Sequence, residues 1–365
     1  MVKKIGIDGT PLLKVKGGIG YYVFIILDNI LKIDKENHYF IFCSQITSDI
    51  NYFKKYNNVY IVEKKIRFFT ESLWSQTHLS FLLYKNHIDI FLGLSQSIPL
   101  LKRKKMKTVL TIYDFCYLLF PETMSNGRRY YLKFLSSLFI KNTDIILVIS
   151  SETGSKLNKF YKKKYTEVVR PPIKFFNLRN QENTYNLLKK NCLKKNSYAV
   201  CIASFEPRKN LINLLKSYIK ALDYSKDLIP LVVIGGHGWK NTSIKKTIDF
   251  CKKNYPNKVI FMNFVSDEIL GTILQNSKFL ISHSVYEGYG MHLAEARSLE
   301  IPVIATDIPE HREAAENDGI FYQINDLDKN IKKWFSKSFN ITKNNNSYES
   351  NKEIAKKMFM TYRDL

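Results

Sequence analysis

Two glutamates stand eight positions apart in the stretch EGYGMHLAE, Glu287 to Glu295, with Gly288 and Gly290 between them. The apolar run KFLISHSV leads in, and AEARSLE, at helical spacing, leads out, so the acids straddle a strand-to-helix turn. Glycines allow close backbone approach there, and the helix start offers unpaired N–H groups. That arrangement suits an anion or a cluster of hydroxyls. Glu295 falls inside the helix, where a carboxylate can accept from paired hydroxyls such as a ribose diol. One acid at the mouth and one deeper would hold a sugar nucleotide at both of its sugars. The plainer reading makes Glu287 a helix cap and Glu295 a surface charge.

Other chemistry-bearing residues are scattered. Arg208-Lys209, in IASFEPRKNLINLLKSY, follows an apolar strand pattern and could neutralise phosphates or be a solvated loop. Gly17-Gly18, in KVKGGIGYY, comes about nine residues after the first strand, too late for a dinucleotide-binding fingerprint. Asp114, in TIYDFCYLLFPE, lies at a strand end and could equally cap a loop. The DxD pair Asp326 and Asp328 opens a helical stretch and reads as a cap rather than a metal site. His78, His87, His237, His283 and His292 make no metal-ligand spacing, and no GxSxG or Cys-His arrangement points to a hydrolase. No metal is expected.

The elements that must position these residues alternate along the chain. KKIGID, HYFIFCS, IDIFLGL, TVLTIYD and DIILVIS are strand runs with helical stretches between several of them, the first over about Ile19 to Ile33. The pattern restarts with SYAVCIAS, IPLVVIG, KVIFMNF, KFLISHS and PVIATD. Continuous β-branched strands separated by helices predict parallel sheets covered on both faces. The expectation is α/β, with two doubly wound domains and a ligand cleft between them. Domains are expected at 1–175 and 197–340, joined by a polar linker at 176–196, with a polar loop and a terminal helix over 341–365.

Composition narrows the class. The 365 residues are 45% hydrophobic and 14% aromatic, enough for large cores and unlike a disordered chain. No apolar run approaches the ~20 residues of a membrane span, and the start reads directly as a strand, so a cytoplasmic location is expected. The five cysteines, Cys43, Cys116, Cys192, Cys201 and Cys251, are dispersed and argue against a disulfide framework or zinc site. The net charge is +23. Residues 1–170 carry 27 basic and 13 acidic side chains, and the rest 29 and 20. A solvated surface, an anionic lipid or phosphorylated substrate, and nucleic acid each fit that charge. Nucleic acid is the weakest, because no recognised binding signature is present. The run KRKKMK, Lys102 to Lys107, is a solvated loop or a contact with an anionic membrane.

SVYEGYGMHLAEARSLEIPVIATDIPEHRE resembles the signature of retaining GT-B glycosyltransferases, in particular the large family (family 4) that includes bacterial mannosyltransferases of polysaccharide assembly. IASFEPRKNLINLLKSY, KVKGGIGYY and TIYDFCYLLFPE resemble three further segments of that family, and the likeness runs from Lys3 to about Tyr322. It departs at Met291-His292, where Leu-Pro is usual, at Ser204, where many members have arginine, and at Tyr113, usually His. The resemblance implies two Rossmann-like domains, an acceptor-side N-terminal one and a donor-binding second one, with a C-terminal helix that crosses back onto the first. It implies transfer from a nucleotide sugar, GDP-mannose as first guess or a UDP- or dTDP-sugar, to a glycan or lipid-linked acceptor of surface polysaccharide or lipopolysaccharide. It also implies retention, without metal or cofactor. Arg208, Lys209, Glu287 and Asp114 would carry the chemistry. Gly17, Gly18, Ser204, Gly288, Tyr289, Gly290, Met291, His292 and Glu295 would hold the donor. A catalytically degenerate nucleotide-binding or scaffold protein is the alternative of another class.

Overall fold

The computed structural model describes the chain except residues 1, 16–17, 66–70, 122–123, 125, 175, 177–185, 187, 190–192, 237–241 and 343–348. Gly17 and most of the expected linker lie outside the described residues. The rest divides into two units, each built on a sheet whose ladders are all parallel.

The first unit comprises Met1–Phe115, Gly127–Pro172 and Glu349–Leu365. Its strands are β1 (Lys4–Asp8), β2 (His38–Cys43), β3 (Val59–Glu63), β4 (Ile90–Gly93), β5 (Lys107–Ile112), β6 (Ile145–Val148) and β7 (Glu167–Val168). They lie in the order β3-β2-β1-β4-β5-β6-β7. The helices are α1 (Gly18–Ile33), α2 (Ser48–Asn51), α3 (Glu71–Gln76), α4 (His78–Lys85), α5 (Cys116–Leu119), α6 (Asn126–Asn142) and α7 (Ser151–Tyr161), of which α5 belongs to the second unit. Ile145 to Val148 is buried throughout, as a central parallel strand with helices on both faces must be.

The second unit comprises Cys116–Asn126 and Ile173–Tyr348. Its strands are β8 (Ala199–Ile202), β9 (Leu231–Ile234), β10 (Val259–Met262), β11 (Phe279–Ser282), β12 (Val303–Thr306) and β13 (Ile320–Tyr322). Its longer helices are α8 (Leu211–Tyr224), α9 (Thr242–Asn254), α10 (Asp267–Gln275), α11 (Met291–Ser298), α12 (Pro309–Ala314) and α13 (Leu327–Phe335). The order β10-β9-β8-β11-β12-β13 repeats the winding of the first unit. Right-handed crossovers then put the helix after β8 and the helix after β11 on opposite faces, so a crevice opens between the two strand ends.

Three strands lie outside the runs that the apolar pattern singles out: β3, β7 and β13. All three are sheet edges and only partly buried. The last helix, α14 (Asn351–Tyr362), belongs to the first unit although it follows the whole of the second. Ser350 and Glu353 cap it reciprocally, satisfying N–H groups that the helix cannot. Its buried face, Ile354, Ala355, Met358 and Tyr362, packs on α1, and Tyr362 Oη lies 3.2 Å from Tyr39 Oη, which donates to Asp34. Cys43, Cys201 and Cys251 are buried free thiols, and Cys116 is buried as well.

Candidate active site

The crevice of the second unit is lined by the segment after β8, Ala203 to Asn210, and the segment after β11, His283 to Gly290. A bond from Val285 N–H to Arg208 O, 2.9 Å, ties the two. Gly235, at the end of β9, lets the backbone close in beside them, since a Cβ there would overlap Ala203 O. Phe120, from the short segment that joins this unit, stacks on Tyr286 with ring centroids 5.3 Å apart.

Glu287 is buried and sits among cations. Arg208 donates from Nη1 to one carboxylate oxygen (2.7 Å) and from Nε to Glu206 (2.9 Å). The Lys209 ammonium donates to the other Glu287 oxygen, which also takes the Ser284 hydroxyl at 2.8 Å. Burial alone would push the Glu287 carboxyl up, but Lys209 and Arg208, then His292 and His311, hold it well below the usual carboxylate range. Two acids and two cations therefore form a nearly neutral buried cluster. Glu287 does not cap α11, because the cap position is Gly290, in the left-handed region at φ 103°.

Behind the carboxylate lies a layer that the sequence pattern does not reveal. His311 Nδ1 is 2.9 Å from Thr306 O, which can only accept, so Nδ1 carries the proton and Nε2 accepts. Ser282 Oγ, 3.3 Å from that Nε2, donates to it, and His292 Nε2, 3.0 Å from the same oxygen, must donate in turn. Both rings are neutral. Burial and Lys209 push His292 well below its ordinary value, and burial pushes His311 down to about 4. Glu287, His292 and His311 lie close enough to be considered as metal ligands. The Glu287 oxygens, His292 Nε2 and His311 Nε2 already take part in bonds to Ser282, Ser284, Arg208 and Lys209, and the two adjoining cations oppose a dication. Glu206, Ser284 and His311 are additions to the expected set. All three lie inside the stretches that carry the family resemblance, but only the fold brings them to Glu287.

Glu295 is as buried as Glu287 but differs in its partners. It lies on α11, 5% exposed, so it is not a surface charge. Among the described residues no group donates to its carboxylate. Burial pushes its carboxyl up to about 7, with Lys174 pulling it down and Asp267 raising it further. Near neutral pH it is about half protonated. Gly288, Tyr289 and Met291 lie on the turn between the two acids, Tyr289 buried and the others partly so. Ser204 is half-buried just beyond β8.

Gly18 and Asp114 belong to the first unit and are placed there only. Beside Asp114, the Tyr113 hydroxyl donates to Leu94 O at 2.5 Å, and its ring packs edge-on against Tyr22. The basic run is partly structural: Lys102 and Lys107 both pair with Asp144, at 3.1 and 3.3 Å, and Met106 is buried. Asp328 takes the Ser217 hydroxyl and pairs with Lys220 at 2.9 Å.

Residues 183–358, close to half of the chain, match the family model described as Glycosyl transferases group 1. Among curated relatives, the O-antigen chain mannosyltransferase B of Escherichia coli is 23% identical over 225 residues, 61% of this chain and 58% of the relative. The O-antigen chain mannosyltransferase RfbU of Salmonella typhimurium is 23% identical over 230 residues, 63% of this chain and 59% of the relative. The chain thus spans about three-fifths of the length of these two relatives. Among solved structures, Anabaena Alr3699/HepE in complex with UDP and glucose superposes with a TM-score of 0.64 at 14% identity, over 100% of both chains. That likeness shows the fold, two Rossmann-like parallel-sheet domains of the GT-B type.

Proposed function

We propose that this chain, which carries a glycosyl transferases group 1 domain, moves a sugar from a nucleotide-sugar donor to a glycan or lipid-linked acceptor, with retention at the anomeric carbon. The observation that carries this reading is the contrast between the two acids of the second unit. A half-buried cation pair beside Glu287 can meet a diphosphate, and the buried Glu295, with no hydrogen-bond donor among the described residues, can meet a diol.

Breaking the bond between sugar and diphosphate puts positive charge on the ring and negative charge on the leaving phosphate. Preorganised cations at the phosphate stabilise that change. Arg208 and Lys209 are the groups for it. To serve, they exchange part of their hold on Glu206 and Glu287 for phosphate oxygens. Glu287 keeps acceptor capacity for a sugar hydroxyl, since a carboxylate has about four lone-pair sites. Glu295 accepts the ribose hydroxyls and ionises fully as it does so. Ser204, Gly288, Tyr289, Gly290, Met291 and His292 form the rest of the donor wall, and Gly17, Gly18 and Asp114 keep the donor and acceptor roles that the family resemblance implies. No metal or cofactor enters this scheme. GDP-mannose is the first donor to try, because both curated relatives are named mannosyltransferases. A UDP-sugar is second, because the Anabaena structure holds UDP and glucose.

An anionic membrane surface is the further partner we assign, through α6. No helix among the described residues is long and apolar enough to cross a membrane. On the outer face of α6, however, Tyr130 and Phe134 are 65% and 64% exposed, beside Arg128, Arg129 and Lys133. Co-sedimentation with phosphatidylglycerol vesicles but not phosphatidylcholine vesicles, weakened by Phe134→Ser, is the expected outcome. Equal pelleting with both would sink that assignment.

A nucleotide-binding scaffold without activity is the second reading, favoured by the Tyr113 hydroxyl, which is already spent on Leu94 O. One experiment separates the readings: thermal unfolding against GDP, UDP, dTDP and their sugars, followed by product analysis. A nucleotide at ~100 times its Kd adds about 2.7 kcal/mol of stability. A shift selective for one base, lost in Glu295→Ala, together with slow hydrolysis or transfer of the sugar, is expected. A shift without turnover would leave the scaffold. No shift with any nucleotide on folded protein would overturn both.

A further inference from the structure

A cavity of about 500 Å³ opens on the second unit between α8, α13 and the segment after β11. His283 and Val285 line it, whereas Ser284 between them turns its hydroxyl to Glu287. Successive residues of one segment thus serve two different spaces. Asn213, Lys216, Ser217 and Lys220 of α8 form one wall at helical spacing, and the start of α13 forms another. Both helices begin here, so unpaired N–H groups and two positive dipole ends converge.

The charged groups are unequally committed. Lys220 is spent on Asp328 at 2.9 Å, and the Ser217 hydroxyl goes to the same carboxylate. Lys216 has neither an ion pair nor a hydrogen bond among the described residues. His283 is 3% exposed, and its Nδ1 is engaged with Tyr322 Oη at 3.0 Å. Its other ring nitrogen has no protein partner among the described residues, although the side chain lines the cavity. The cavity leaves that nitrogen open to solvent or to a ligand.

We infer that this cavity is a second anion site, distinct from the Glu287 cluster, which takes a small phosphate ester. The Lys216 ammonium, the Asn213 amide, the His283 imidazole and the helix starts are phosphate-binding groups. Val285, Ile324 and Leu327 give an apolar wall for the ester's organic part, and the volume exceeds what a bare phosphate fills. The inference stands without the glycosyltransferase reading.

Calorimetric titration of the full chain with glucose 6-phosphate, inorganic phosphate and methyl glucoside tests it, in the wild type and in Lys216→Gln, Asn213→Asp and Arg208→Gln. Circular dichroism and melting of each variant check the fold. Saturable binding of glucose 6-phosphate is expected, weakened at least about tenfold in Lys216→Gln and Asn213→Asp, and persisting in Arg208→Gln. Four results would overturn the site: no saturable binding, loss only in Arg208→Gln, equal affinity for methyl glucoside, or equal affinity for inorganic phosphate. The nucleotide panel in Lys216→Gln reads separately on the proposed transferase.

Discussion

Glu287 and Glu295 are the same residue type, eight positions apart and almost equally buried, yet the protein treats them in opposite ways. Glu287, on the turn, is surrounded by two cations and a hydroxyl and stays ionised. Glu295, on the helix behind it, has no donor among the described residues and is held near its midpoint at neutral pH. Burial penalises both to a similar degree, so the difference lies in which partners the fold delivers. The turn is met by the β8 segment with Arg208 and Lys209. The helix face is met only by the more distant charges of Lys174 and Asp267. A satisfied acid holds the structure together, whereas an unsatisfied one is held ready for something that arrives.

That contrast is broken most directly at Glu287. Glu287→Gln leaves two buried cations short of a partner and should cost about 3–5 kcal/mol in urea unfolding at pH 7. A loss below about 1 kcal/mol would mean that the ion pairs contribute little net stability. The folded carboxyl titrates below the unfolded one, so its contribution is complete above the unfolded value. It fades as pH falls through the folded value.

Glu295→Gln should act in the other direction. The folded carboxyl, raised from 4.5 to about 7, favours the protonated state. Stability from this group is therefore full below pH ~4.5 and lost as pH rises through ~7, by about 3 kcal/mol in all. The amide removes that loss. The variant should be more stable than wild type at pH 8, by up to about 3 kcal/mol, and equal to it at pH 4.5. A destabilised variant at pH 8 would show that Glu295 has a partner after all.

The same group should make nucleotide affinity depend on pH. If the diol binds the carboxylate, binding releases a proton below pH ~7. Affinity should then fall about tenfold per pH unit from pH 7 toward 5 and stay flat above 7.5. Fluorescence titration of GDP or UDP reads this, and Glu295→Gln should flatten the profile. A profile that keeps its slope in the variant would assign the proton elsewhere.

The smallest effect is expected between the two acids. Gly290→Ala forces an L side chain to φ 103° and puts its Cβ 3.3 Å from Ala314 Cβ. It should cost about 1–2 kcal/mol, equally at pH 5 and pH 8. A cost that changes with pH would mean that the turn also sets the electrostatics of Glu287.

The central strands of both sheets are legible in the sequence, because burial on both faces demands unbroken apolar runs. The edge strands β3, β7 and β13 are not, since one side meets no neighbour and none of Val59 to Glu63 is fully buried. At the site, the spacing of Glu287, Gly290 and Glu295 is local and can be read directly. The pairing of Glu287 with Arg208 and Lys209 spans 79 and 78 positions and follows only from the adjacency of β8 and β11. His311 stands near the end of the quoted signature, but its role is hidden for the same reason. It reaches Ser282 across 29 positions, through the neighbouring strand β12.

Helix α14 also has a consequence in time. A ribosome delivers the chain from its beginning at about 5–20 residues per second. The face of α1 that Ile354, Met358 and Tyr362 cover must wait bare while the whole second unit is made. The unit that starts first is therefore finished last. Until then that apolar face is open to any other apolar surface it meets, and a chain cut before residue 351 would leave its first unit unsealed.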